Sequence, residues 1–130
     1  MIVVDASVML EVLLRTPDVQ VVEERLLDPD ETLYAPHLLD VEIAHVLRRY
    51  AANGEIDGER GGAALDDLAV FPMRRYPHDV LLPRVWELRN NLTAYDAVYV
   101  ALAEALGAPL LTRDRRLAGA AGHRAAIELV

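Results

Sequence analysis

The chain has 130 residues, 53% of them hydrophobic and 26% charged, with a formal net charge of −8. That length suits one domain with a sizeable core, and that balance is globular rather than disordered. There is no cysteine, and all 13 basic residues are arginine, so disulfides, thiolate metal sites and lysine-dependent chemistries (Schiff-base, Walker and phospho-receiver lysines) are excluded.

In chain order, MIVVD is a short apolar, β-branched run ending in an acid, and it reads as a buried strand. SVMLEVLLR reads as a helix with Ser7 as its N-cap. DVQVVEERLL is a second amphipathic helix, closed by DPDE, and TLYAP a short strand. A long helix runs from about His37 to Ala52 and ends at Asn53-Gly54. GERGGAALDDLAVF is a helix weakened by its glycines, and MRRYP is an edge strand. DVLLPRVWELRNN is helical with Pro83 near its start, and LTAYDAVYVALAEALG is the next helix. APLLT is a strand, RDRRLAG a short helical turn and AIELV a last strand.

No repeat or linker breaks this order, so residues 1–130 are expected to form a single domain. Strands alternating with helices predict an α/β fold around a mostly parallel sheet. Ligands in such folds sit beyond the carboxyl ends of the strands, which is where Asp5 and Thr112 to Asp114 fall. MIVVDASVMLEVLL lacks a basic leader and carries Asp5 and Glu11 inside its apolar stretch. No apolar run approaches the roughly 18 residues of a membrane span. A cytoplasmic protein without a membrane partner is expected.

Four acids stand where acids need explaining. Asp5 reads as a strand-end turn residue or helix cap, and Asp114 as the cap of the helix after it. Thr93 and Asp96 fit a capping box, and an acid there also suits the helix dipole. Glu42 shares its helix face with Leu38, Leu39 and Val46, and a glutamate among leucines needs a partner; His45 and Arg49 are the local choices. One site explains all four together. Clustered carboxylates repel, and divalent cations relieve the protonation this forces. Oxygen ligands without cysteine favour Mg²⁺ or Mn²⁺ over zinc, and such clusters suit phosphodiester hydrolysis. His37, His45, His78 and His123 show no ligand spacing and read as surface or helix-end residues.

The set VVDASV, PHLLDVEIAHVL, LTAYDAVYVALAEALG and LLTRDRRLA resembles the PIN-domain family, specifically the VapC toxins of bacterial toxin–antitoxin pairs. The resemblance runs from the first residues to about Leu117, with little between Asn53 and Asn91 beyond length and helical character. It implies a three-layer α/β/α fold with a central, mostly parallel sheet. It also implies a catalytic metal site of Asp5, Glu42, Asp96 and Asp114, with Ser7 and Thr112 supporting the ligands or binding water. By the same resemblance the protein is an Mg²⁺- or Mn²⁺-dependent endoribonuclease toxin acting on tRNA or rRNA. It would form a homodimer and be neutralised by a cognate VapB-like antitoxin.

A net charge of −8 opposes RNA binding at long range, so local cations must offset it. Arg113 and Arg115 flank Asp114, and one or the other is expected to hold substrate phosphate. Arg48-Arg49 and Arg74-Arg75 read as solvated charges, and Tyr95 and Tyr99 as core packing. Val8, Leu13, Val19, Val22 and Leu26 are either core or a partner groove. An aspartate-nucleophile phosphatase would need an acid where Ser7 stands, and a lysine. The alternative within the fold is a catalytically weak or inactive RNA- or protein-binding module.

Overall fold

Three apolar runs become the middle of one sheet. The computed structural model describes residues 1–130. Its strands are β1 (Ile2–Val4), β2 (Leu33–Pro36), β3 (Arg74–Tyr76), β4 (Leu110–Thr112) and β5 (Ile127–Leu129). They pair in the order β3-β2-β1-β4-β5, all parallel. Every residue of β1, β2 and β4 is buried, because helices cover both faces of a parallel sheet and leave no solvent side to alternate towards. Fully burying Ile2, Val3 or Val4 contributes roughly 1.5–3 kcal/mol each. The edge strands carry charge instead, Arg74 and Arg75 on β3 and Glu128 on β5, which discourages edge-to-edge pairing.

The helices are α1 (Ala6–Leu14), α2 (Val19–Leu26), α3 (Leu38–Ala52), α4 (Gly58–Val70), α5 (Leu82–Glu87), α6 (Ala94–Leu106) and α7 (Arg115–Ala118). A 3₁₀ turn, Asp79–Leu81, leads into α5, whose first turn accommodates Pro83. α1 packs against α2, α3 and α4, while α5 packs on α6, which lies against β1, β2 and β4. Right-handed crossovers put the helices after β1 and β2 on one face and those between β3 and β4 on the other. The expected three-layer arrangement is present. α6 carries seven consecutive buried residues, Ala97–Ala103, and ends at Gly107, whose φ of 61° closes the helix as glycine allows.

Two local expectations change. α1 is capped by Asp5, which accepts from the Val8 N–H, and not by Ser7. Tyr95 is 66% exposed, so it is not a core residue. Val8, Leu13, Val22 and Leu26 are core, whereas Val19 is half-buried. His78 holds a helix end: its Nε2 accepts from the Leu38 N–H at the start of α3, at 2.8 Å.

The chain leaves β1 towards β2 and leaves β4 towards β5, in opposite directions along the sheet. Their adjacent carboxyl ends form the topological switch point, where a crevice opens in such sheets. No helix is long and apolar enough to cross a membrane.

Candidate active site

The crevice is a cleft of about 350 Å³ lined by Asp5, Glu42, Asp96 and Asp114 together. Four sequence segments meet there for separate reasons. Asp5 directly follows β1, Asp114 is the second residue past β4, Glu42 lies in the second turn of α3, and Asp96 in the first turn of α6.

Asp5 is the most constrained. It is 7% exposed. Ser7 Oγ donates to its Oδ1 at 2.6 Å, and the Val8 N–H adds a second bond at 3.1 Å. Thr112 Oγ1 donates to its Oδ2 at 2.5 Å. The same hydroxyls accept in turn: Ser7 Oγ from the Arg113 N–H and Thr112 Oγ1 from the Asp114 N–H, both at 2.9 Å. The two hydroxyls therefore fix the Asp5 carboxylate and stitch the end of β1 to the end of β4. Burial raises the Asp5 pKa, and these hydrogen bonds oppose the rise.

Glu42 has no ion pair, so neither His45 nor Arg49 is its partner. Its Oε1 is buried without any hydrogen bond. The Tyr99 hydroxyl faces it from α6, close enough to favour the ionised form, but neither atom completes a hydrogen bond. Burial is the main cause that raises the Glu42 pKa, and the charges of Asp5 and Asp96 add to it. Tyr99 itself is pushed well up, by burial and by Glu42.

Asp96 shows why an acid opens an apolar helix. Thr93 is the N-cap, its hydroxyl accepting from the Asp96 N–H at 3.2 Å. The return bond of a capping box, from the Thr93 N–H to the Asp96 carboxylate, does not form. The carboxylate lines the cleft instead, with its pKa raised by burial and by Asp114, against the opposing charge of Arg116. Asp114 serves both readings at once. Its Oδ1 caps α7 through the Arg116 and Leu117 N–H groups, while Oδ2 lies 3.7 Å from Arg116 Nη2.

The acids line the cleft rather than closing on one point, and no three His, Asp or Glu side chains form a ready-made cation cage. The donor set still fits a hard divalent cation: five carboxyls counting Glu11, no sulfur or imidazole in the cleft, and one buried carboxylate oxygen without a completed hydrogen bond. Three of the four acids have raised pKa values, which a cation would reverse.

Sequence reasoning missed Glu11 in the cleft, although it stands one turn beyond Ser7 on α1. It also placed Tyr99 only in the core. Tyr99 is buried, but its hydroxyl end reaches the cleft wall. Arg113 lines the cleft, yet its guanidinium is held by Glu11 at 3.3 Å, Asp18 at 3.0 Å and the Val130 carbonyl at 3.2 Å. Arg115 is exposed on α7 and outside the cleft lining.

Fold and cleft together define a class, a parallel α/β domain with a carboxylate cleft at its switch point, and comparison with known proteins identifies the family. Residues 2–122 match the PIN domain. The chain is 54% identical over 97 residues to Ribonuclease VapC1 of Mycobacterium tuberculosis, covering 74% of this chain and 73% of that one. It is 42% identical to Ribonuclease VapC12 of the same organism over 130 residues, 100% of this chain and 99% of that one. Its fold matches a chain of the VapBC2 structure from Rickettsia felis, solved bound to a DNA fragment from their promoter, with a TM-score of 0.68 at 14% identity, covering 100% and 99% of the two chains. The chain belongs to the PIN-domain family, and within it to the VapC type.

Proposed function

We propose that this protein is an endoribonuclease toxin that hydrolyses RNA phosphodiester bonds, in tRNA or rRNA, with Mg²⁺ or Mn²⁺ held by Asp5, Glu42, Asp96 and Asp114. The observation that carries the reading is the Glu42 Oε1 atom, buried without a hydrogen bond in a cleft that also holds the carboxyls of Asp5, Asp96 and Asp114. A structural acid in that position would have an arginine or a completed hydrogen bond, whereas the Tyr99 hydroxyl that faces Glu42 completes none. The ribonuclease names of VapC1 and VapC12 support the same reading.

A bound divalent ion supplies a water of lowered pKa and positive charge against the transferred phosphoryl group. The chain's own residues prepare for it. Ser7 and Thr112 hold Asp5 in one orientation. Thr93 caps α6, which leaves the Asp96 carboxylate free of capping. Asp114 anchors one oxygen on α7 and lines the cleft. His78 fixes the start of α3, the helix that presents Glu42. The presence of all four acids in one cleft favours an active enzyme over a binding module.

A VapB-like antitoxin is the partner that the family supports. A homodimer is the second association. What supports it is a run of exposed apolar side chains across α3, α5 and α6: Val41, Leu82, Trp86 and Tyr95. The testing experiment is cleavage of a defined tRNA and rRNA panel with Mn²⁺, with Mg²⁺ and with EDTA. Cutting that needs the cation is expected, and equal cutting in EDTA contradicts the reading.

A further inference from the structure

An acidic cleft that takes RNA must contain something to attract it. Two arginines line this cleft, Arg49 and Arg113. Arg113 is already engaged by two carboxylates and a carbonyl, and its side chain is only 26% exposed. Arg49 is exposed and has no ion pair. Its guanidinium lies over the ring of Tyr50, another residue of the cleft wall, 5.8 Å from the ring centroid, a contact that leaves its N–H donors free.

Position along α3 separates Arg49 from the acids without turning it away. Glu42, Val46 and Arg49 stand at i, i+4 and i+7, on one helix face, and all three line the cleft. Seven residues at a rise of 1.5 Å put Arg49 roughly 10 Å along the axis from Glu42. It therefore stands beside the carboxylates rather than among them, and it does not neutralise Glu42, whose Oε1 stays unpartnered.

We propose that Arg49 holds the RNA backbone phosphate next to the one being cleaved. The proposal rests on the ribonuclease reading and adds to it the side chain that gives this acidic protein its grip on substrate. A planar guanidinium matches two phosphate oxygens at once, and one left unpaired at the wall of a cleft keeps its donors available. The competing role is a cation near the α3 C-terminus, interacting with the helix dipole alone. Arg48, an exposed neighbour outside the cleft lining, is the control.

The test uses the full chain as wild type, Arg49→Gln, Arg49→Lys and Arg48→Gln. Binding of fluorescein-labelled bulk tRNA is followed by anisotropy across a salt series in EDTA, and cleavage is followed with Mn²⁺. Arg49→Gln is expected to weaken binding about five- to tenfold, the loss of one exposed charge-assisted contact. It should lower the salt slope by about 0.7 and raise KM with little change in kcat. Arg49→Lys should restore the slope but only part of the affinity, because it carries the charge without the fork. Arg48→Gln should follow wild type. If Arg49→Gln matches Arg48→Gln in slope and KM while wild type binds and cleaves, the proposal is wrong and the ribonuclease reading stands. If wild type neither binds nor cleaves, the ribonuclease reading falls and this proposal with it.

Discussion

Glu42→Gln should make the cation-free protein more stable. The wild-type carboxylate is half-buried, its Oε1 has no hydrogen bond, and Asp5 and Asp96 repel its charge. Glutamine keeps the shape, removes the repulsion and brings an N–H that can donate to a neighbouring carboxylate. An unsatisfied buried polar group costs about 1–3 kcal/mol, and the partial exposure of Glu42 places the gain near the lower end, about 1 kcal/mol. For a chain of this size that is a rise in Tm of roughly 3–5 °C. The gain depends on pH in a defined direction. Burial raises the folded-state pKa of Glu42 above its unfolded value, so the folded protein takes up that proton first and wild type recovers stability as pH falls through this window. The advantage of Glu42→Gln is thus full above the raised pKa and fades as pH drops towards the ordinary carboxylate range. Saturating Mn²⁺ should reverse the order, since a ligand at about 100 times its Kd stabilises wild type by roughly 2.7 kcal/mol. The assay is thermal unfolding of both proteins in EDTA and in Mn²⁺ between pH 5 and 8. A Glu42→Gln protein less stable than wild type in EDTA at every pH would mean that Glu42 has a partner, and the reasoning would fail.

Three other outcomes follow from the same contacts. Thr112→Val keeps the volume but removes the 2.5 Å bond to Asp5 and the acceptor for the Asp114 N–H, so it should cost about 1–3 kcal/mol by urea unfolding and lower cleavage as well. Arg84→Gln strips the fork from Glu104, whose side chain is 6% exposed, and should lower Tm at neutral pH. Because Arg84 holds the Glu104 pKa below its usual range, the pair's stabilisation is present above the ordinary carboxylate pKa and is lost as pH falls through the lowered one; the Tm deficit should shrink on acidification. Trp86→Asp places a charge in the exposed apolar strip and should shift sedimentation from dimer to monomer without lowering the Tm of the monomer.

The architecture was legible because its signals are local. The apolar runs at Ile2–Val4 and Leu110–Thr112 mark buried parallel strands, and Gly54 and Gly107 mark helix ends by their positive φ. The convergence of Asp5 and Asp114 followed from strand order, since both stand at carboxyl ends. What periodicity does not carry is the partner of a side chain. Ser7 looked like a cap because serine suits that position, but Asp5 stands one residue ahead of the helix and takes the Val8 N–H. Arg113 looked free because Glu11 and Asp18, which hold it, are about a hundred residues away in the chain. Tyr95 looked like core because its neighbours in α6 are apolar, yet it falls on the helix's outer side, in the exposed strip shared with Val41 and Leu82.

The most direct measurement sets Asp96→Asn beside Thr93→Ala and wild type in Mn²⁺-dependent cleavage of the tRNA and rRNA panel, with unfolding measured on the same samples. Asparagine removes the charge that a cation needs, while the Thr93 hydroxyl still caps α6; alanine at 93 removes the cap bond and leaves the carboxylate. The account predicts that Asp96→Asn folds as stably as wild type in EDTA and does not cleave. It predicts that Thr93→Ala loses about 1 kcal/mol of stability and still cleaves. Cleavage by Asp96→Asn at the wild-type rate would show that Asp96 is a helix-start residue and not part of a metal site.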